Sequence, residues 1–160
     1  MEYELRIPTS ADVEAITRVH VDSWRETYGG MLPESFFGEE LVEQRRRMWT
    51  ANLRSVSPEW NMRVAESDAG LVGLALAGPA HGESPRAREL HLIYVLLAHQ
   101  GKGLGQRLLD SALGADPAVL WVEKTNERAQ DFYRRNGFEL DGTAEVDEQN
   151  PVFVDVRMVR

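Results

Sequence analysis

The chain has 160 residues, enough for one domain with a sizeable core, and its 42% hydrophobic and 28% charged residues are those of an ordinary globular protein rather than a disordered or membrane one. A formal net charge of −8 argues against a nucleic-acid surface; it suits a cationic small substrate and serves solubility in any case. No cysteine is present, which excludes disulfides, thiolate metal sites and cysteine nucleophiles.

The opening Met-Glu-Tyr-Glu-Leu-Arg-Ile-Pro lacks the basic and apolar regions of a signal peptide, so a cytoplasmic protein is expected. Residues 3–7 read as a strand closed by Pro8, with Leu5 and Ile7 on one face. Thr9 or Ser10 then caps a helix whose Val13, Ile16, Val19 and His20 recur at helical spacing, fading at Tyr28-Gly29-Gly30. Pro33 opens a second helical region to about residue 53, with Leu41, Val42, Met48 and Trp49 as its buried side.

Strands are expected at 62–66 and 71–77, joined by the turn Ser67-Asp68-Ala69-Gly70, and a polar loop at 79–88 with two prolines. A strand at 89–97, a helix at about 103–113, a strand at 118–123 and a helix at 126–136 stopped by Gly137 follow. Two strands at 138–146 and 152–159 close the chain around a turn at 147–151. The longest apolar runs, 71–77 and 92–98, are too short to span a bilayer as helices, so no membrane partner is expected. The order is mixed α/β, and the crossover from 89 to 123 makes its two strands parallel if they share a sheet.

Within this pattern one stretch carries chemistry. The strand Ile93-Tyr94-Val95 runs into Gln100-Gly101-Lys102-Gly103-Leu104-Gly105 at the mouth of a helix. A helix N-terminus offers unpaired N–H groups and about half a positive charge, and three glycines keep Cβ atoms away from an anion there. The dinucleotide fingerprint would need glycine where Gln106 stands, and the P-loop needs Ser or Thr after Lys102, where Gly103 stands. What remains is Q-x-x-G-x-G.

That turn resembles the pyrophosphate-binding turn of the GNAT (GCN5-related) N-acetyltransferase superfamily. A second stretch, from Asn126 through Ala129, Phe132, Tyr133 and Gly137 to Phe138, is similar to the superfamily's N-x-x-A-x-x-F-Y-x-x-x-G-F region. The likeness covers roughly 89–140 and continues weakly into Ser23-Trp24-Arg25-Glu26-Thr27-Tyr28. Leu97 and Ala98 depart from the proline and acidic residue found there in many members, at positions that supply no phosphate-binding donor.

The resemblance implies a single domain over 1–160. Its fold is a mixed, mostly antiparallel central sheet with a parallel splayed pair at 89–97 and 118–123 and helices on both faces. It also implies direct acetyl transfer from acetyl-CoA, a co-substrate, to a primary amine of a small molecule or protein, with no metal. Tyr94, Val95 and Leu96 correspond to the strand that bonds the pantetheine arm, a backbone N–H near Val95 or Leu96 to the oxyanion donor, and Gln100, Gly101, Lys102, Gly103, Leu104 and Gly105 to the pyrophosphate turn. Asn126 corresponds to a coenzyme contact, its alternative being a helix N-cap.

Tyr133 corresponds to the general acid that protonates the departing thiolate; a phenol stays protonated at neutral pH. Glu89 matches the glutamate that accepts the amine proton, often through water, and His91, two residues along the same strand face, competes for that role. Trp24 and Tyr28, at i and i+4, are expected to line the acceptor side, with Phe36 and Phe37 as further candidates. Such proteins are monomers or homodimers. A non-catalytic acyl-CoA sensor is the alternative function.

Overall fold

The computed structural model describes residues 2–54 and 57–160. Its elements, in chain order, are β1 (Glu4–Arg6), α1 (Val13–Tyr28), α2 (Glu39–Arg54), β2 (Asn61–Ser67), β3 (Gly70–Pro79), β4 (Arg88–Val95), α3 (Leu104–Ala112), β5 (Val119–Glu123), α4 (Glu127–Arg135), β6 (Glu139–Val146) and β7 (Val154–Val159). Short 3-10 turns at Ser10–Asp12, Glu34–Phe37 and Leu97–His99 lie between them. The seven strands form one sheet in the order β1-β2-β3-β4-β5-β7-β6. It is mostly antiparallel. The parallel pair is β4 with β5, registered at Glu89 with Val119 and Leu90 with Leu120.

Among the boundaries that differ from the sequence expectation, two do so for clear local reasons. The helix after Pro8 begins as a 3-10 turn, because Asp12 accepts the Thr9 backbone N–H at 2.8 Å and thereby sets the first turn. The strand expected over 89–97 stops at Val95. There the Gln100 side-chain amide donates to the Val95 carbonyl at 2.8 Å, and the chain turns through Leu97–His99 instead of extending.

The chain divides into two compact units, residues 1–76 with 92–114 and residues 77–91 with 115–160. The first is built on the inner faces of α1 and α2: Ile16, Val19, Trp49, Val64, Leu71 and Leu74 are buried together. Each such side chain contributes about 1.5–3 kcal/mol on burial. A smaller cluster of Val21, Phe37 and Leu41 holds the connection between the helices. Arg6 pins β1 to its surroundings with a two-pronged bond to Asp12 (2.8 and 2.9 Å) and a bond to Glu66 on β2 (2.8 Å). The Arg6 guanidinium holds the Asp12 carboxyl below its usual range, against the opposing effect of burial.

Gly73 on β3 sets the spacing of this unit. A Cβ at Gly73 would lie 3.0 Å from the Tyr94 carbonyl oxygen and 3.1 Å from Leu108 Cδ1, so only glycine lets β4 and α3 approach β3 this closely. In the second unit, β7 pairs antiparallel with both β5 and β6. Val119, Leu120, Phe138, Phe153 and Met158 are buried there. The pairing of β6 slips between Leu140 and Ala144, where Gly142 takes a φ of +87°. Among the described residues no helix is long and apolar enough to cross a membrane.

Candidate active site

In the first unit the chain leaves β4, makes the 3-10 turn Leu97–His99 and enters α3 through glycines. Gly101 and Gly103 have φ of +73° and +79°, the left-handed region that costs an L side chain about 1–2 kcal/mol. A Cβ at either position would meet nothing within 4 Å. Both glycines therefore face open space, and Gly103, lacking a side chain, stands as the helix N-cap. Behind the opening Leu104, Leu108, Leu109 and Ala112 are buried, which anchors the helix and aims its N-terminus outward. Lys102 is exposed and its ammonium donates to the Ala98 carbonyl at 3.1 Å. The arrangement can serve as an anion cradle of main-chain N–H groups, with the Lys102 ammonium beside it.

Of the two backbone N–H groups expected as oxyanion donors, that of Leu96 is already engaged. It donates to the Val72 carbonyl of β3 at 2.9 Å, a bond that competes with the donor role expected of Leu96. Sequence reasoning placed Leu96 inside the strand; the tertiary pairing with β3 engages its hydrogen.

The same unit holds a connected run of aromatic and imidazole groups. Trp24 and Tyr28 are half-buried on one face of α1 with ring centroids 5.0 Å apart. Trp24 Nε1 donates to the Tyr94 hydroxyl at 3.1 Å, and the Tyr94 ring stacks on His20 at 5.1 Å. His20 Nδ1 accepts from Trp49 Nε1 at 3.1 Å. Burial, with a further push from the Arg45 charge, lowers His20 to about 3, so the ring is neutral at physiological pH. Of the further aromatic candidates, Phe37 is only 2% exposed and belongs to the Val21–Leu41 cluster, whereas Phe36 stays half-buried. Phe37 is core.

In the second unit Glu89, on β4, is 4% exposed although it is a carboxylate. His81, from the loop after β3, places Nδ1 2.8 Å from Glu89 Oε1 and 3.1 Å from Oε2. His91 places Nδ1 2.9 Å from Oε2, and its Nε2 lies 2.7 Å from the Pro79 carbonyl oxygen. Burial pulls the His91 imidazole down, but the hydrogen bond to Glu89, the carboxylate charge and the Pro79 carbonyl outweigh it, and the net direction is upward. For Glu89 burial acts upward and is overcome by the His91 hydrogen bond and the two imidazole charges, so the carboxyl lies below its ordinary range. The two residues that competed for one role are thus partners in one cluster.

His81 is the residue that sequence reasoning missed. Glu89 and His91 share a strand face by the period of two, but His81 arrives from a polar loop with no periodicity to mark it. Its one local sign, a position two residues after Pro79, is weak.

Tyr133, on α4, is 8% exposed, with its ring 6.1 Å from Phe138 and 5.5 Å from Phe132. Asn126 is the N-cap of α4: its side-chain oxygen accepts from the Ala129 N–H at 3.2 Å.

Residues 58–140 match the Acetyltransferase (GNAT) domain family. "Uncharacterized N-acetyltransferase YuaI" of Bacillus subtilis is 33% identical over 123 residues, covering 72% of this chain and 68% of that protein. "Probable N-acetyltransferase Rv2775" of Mycobacterium tuberculosis is 27% identical over 146 residues, covering 86% and 80%. In fold, the chain is similar to the PaiA N-acetyltransferase of Thermoplasma acidophilum, solved in complex with coenzyme A, with a TM-score of 0.75, 23% identity and 98% of each chain covered. The protein PH1933 of Pyrococcus horikoshii OT3 gives 0.74 at 23% identity, over 99% of this chain and 98% of its own.

The glycine-mouthed helix, the α4 segment and these likenesses define a class, the acyltransferases of the mixed α/β type. The chain belongs to the GNAT acetyltransferase family.

Proposed function

We propose that this protein transfers an acetyl group from acetyl-CoA to a primary amine of a small molecule or protein. The observation that carries the reading is the cradle: two glycines at positive φ, open to solvent, at the N-terminus of a well-anchored helix. A pyrophosphate fits such a mouth by charge and by the room the missing Cβ atoms leave. Acetyl-CoA brings an activated thioester; the chain supplies binding, orientation and proton management.

The backbone N–H groups of 101–105 and the Lys102 ammonium hold the pyrophosphate, and Gln100 secures the turn by its bond to Val95. The main chain of Tyr94 and Val95 bonds the pantetheine arm, with the Val95 N–H polarising the thioester carbonyl. As the C–N bond forms and the C–S bond breaks, Tyr133 donates its phenolic proton to the sulfur and is restored by the second proton that the reacting nitrogen sheds. Glu89 receives the ammonium proton. Because Glu89 is nearly enclosed, His81 passes that proton inward, being 53% exposed at its side chain and bonded to both carboxylate oxygens. Trp24 and Tyr28 line the acceptor side.

Calorimetry with acetyl-CoA and a thiol-release assay over a panel of primary amines test the reading. Binding together with amine-dependent thiol release, with the acylated nitrogen identified by mass spectrometry, is the expected result. Tight binding without release for any amine would favour an acyl-CoA sensor; no binding would overturn both readings.

A further inference from the structure

His81, Glu89 and His91 each present a donor atom, and the three atoms lie within 4.8 Å of one another. The hydrogen count around His91 makes the arrangement unusual. One ring nitrogen faces the Pro79 carbonyl oxygen at 2.7 Å and the other a Glu89 carboxylate oxygen at 2.9 Å, and both partners are acceptors only. The nitrogen toward Pro79 carries a hydrogen. The nitrogen toward Glu89 then needs a positive species between itself and the carboxylate, either a second proton or a cation. His81 Nδ1 points at the same two oxygens from the loop. A proton bridges one ring to the carboxylate, whereas one divalent ion can be shared by both rings and the carboxylate together.

We infer that His81, Glu89 and His91 form a binding site for a divalent transition-metal ion of the zinc type, with the two Nδ1 atoms and one carboxylate oxygen as ligands. Two imidazoles and a carboxylate are the donors such borderline ions take, while magnesium and calcium favour all-oxygen sets. The absence of cysteine excludes thiolate sites and leaves this donor set untouched. The outer shell is also in place: the His91 Nε2–H donates to the Pro79 carbonyl, which fixes the ring so that Nδ1 is the coordinating atom. Ligand atoms around a zinc at about 2.0–2.2 Å stand a little farther apart than hydrogen-bonded ones. The half-exposed His81 supplies that adjustment by a small rotation, and it lies at the solvent side of the cluster, where an ion enters. The exposed carboxylate of Glu145, 4.0 Å from His81 Nε2, adds negative charge along that approach.

The ion has no part in the transfer chemistry. If Glu89 is the proton acceptor, as the proposed function holds, metal occupancy withdraws it from that role and inhibits transfer. The test therefore reads metal alone. Untagged, metal-stripped protein is titrated with Zn²⁺ by calorimetry and with Co²⁺ by visible absorption and tryptophan emission; the Trp121 ring lies 5.9 Å from that of His81 and reports occupancy by quenching.

One ion per chain is expected, with affinity falling at least about tenfold in His81→Ala and in His91→Ala. The His99→Ala variant should bind as the wild type does. His81→Ala removes a half-exposed ring and keeps the fold, which a thermal melt verifies. The inference is overturned by a lack of saturable binding, or by equal affinity in the wild type and both histidine variants. Metal binding in a protein that shows no acetyl-CoA binding would overturn the transfer reading and leave the metal site standing.

Discussion

The cradle at the mouth of α3 and the His81–Glu89–His91 cluster use different parts of the chain for recognition. The cradle works with main-chain N–H groups, and its side chains matter mainly by being absent: Gly101 and Gly103 hold positive φ and leave open space. The cluster works with side chains drawn from a loop and a strand, with the Pro79 carbonyl holding His91 in place behind them. Backbone sites tolerate variation in residue type but not in backbone conformation or bulk; side-chain sites are the reverse. Substitutions should therefore separate the two regions cleanly.

The largest effect is expected from side-chain chemistry. Tyr133→Phe removes one hydroxyl and should lower amine-dependent thiol release by about 10²–10⁴-fold while calorimetry finds acetyl-CoA affinity nearly unchanged. Equal turnover in the two proteins would assign Tyr133 to packing beside Phe138. Next in size, Gly103→Trp blocks the cradle. Losing two charge-assisted N–H bonds at about 1.5 kcal/mol each corresponds to roughly 100-fold weaker acetyl-CoA binding. Zn²⁺ affinity should stay as it was in that variant.

A smaller effect probes the support beneath the cradle. Gly73→Ala drives a methyl against the Tyr94 carbonyl and Leu108, contacts of 3.0 and 3.1 Å, and should destabilise the protein by about 1–3 kcal/mol in urea denaturation. An unchanged midpoint would mean that β3 and α3 have room to separate.

The smallest effect is a pH dependence in the first unit. His20 titrates near 6.5 when unfolded and near 3 when folded, so the unfolded chain binds the extra proton between those values. Stability is full above the unfolded value and declines as pH falls through it, by at most about 1.4 kcal/mol per pH unit for this one group. His20→Gln keeps an acceptor for Trp49 Nε1 and cannot charge, so its stability should fall less than that of the wild type between about pH 7 and pH 5. Parallel curves would show that His20 does not contribute to the acid limb.

Much of the architecture was legible because short-range patterns carry it. Apolar spacing marked both long helices, Gly137 marked the end of the α4 region, and the turn Ser67-Asp68-Ala69-Gly70 marked the strands at 62–66 and 71–77 on either side of it. Two candidate site segments were legible for the same reason: the glycines around Lys102 act on their own backbone, and Asn126 to Phe138 is one contiguous stretch. What escaped came from residues far apart in sequence. By sequence Leu96 is an ordinary strand-end donor, whereas in the fold its N–H is bonded to Val72. Trp24, expected on the acceptor side, also donates to Tyr94, a residue 70 positions away.

The sequence by itself determined the family, the element order and the place of the anion cradle, because each depends on a contiguous run whose conformation is local. Only the tertiary structure decided which donors are spent, that Glu89 is shielded, and that His81 joins His91 around it. Those outcomes rest on burial and on hydrogen-bond partners brought together by folding, and neither is written in the spacing of neighbouring residues.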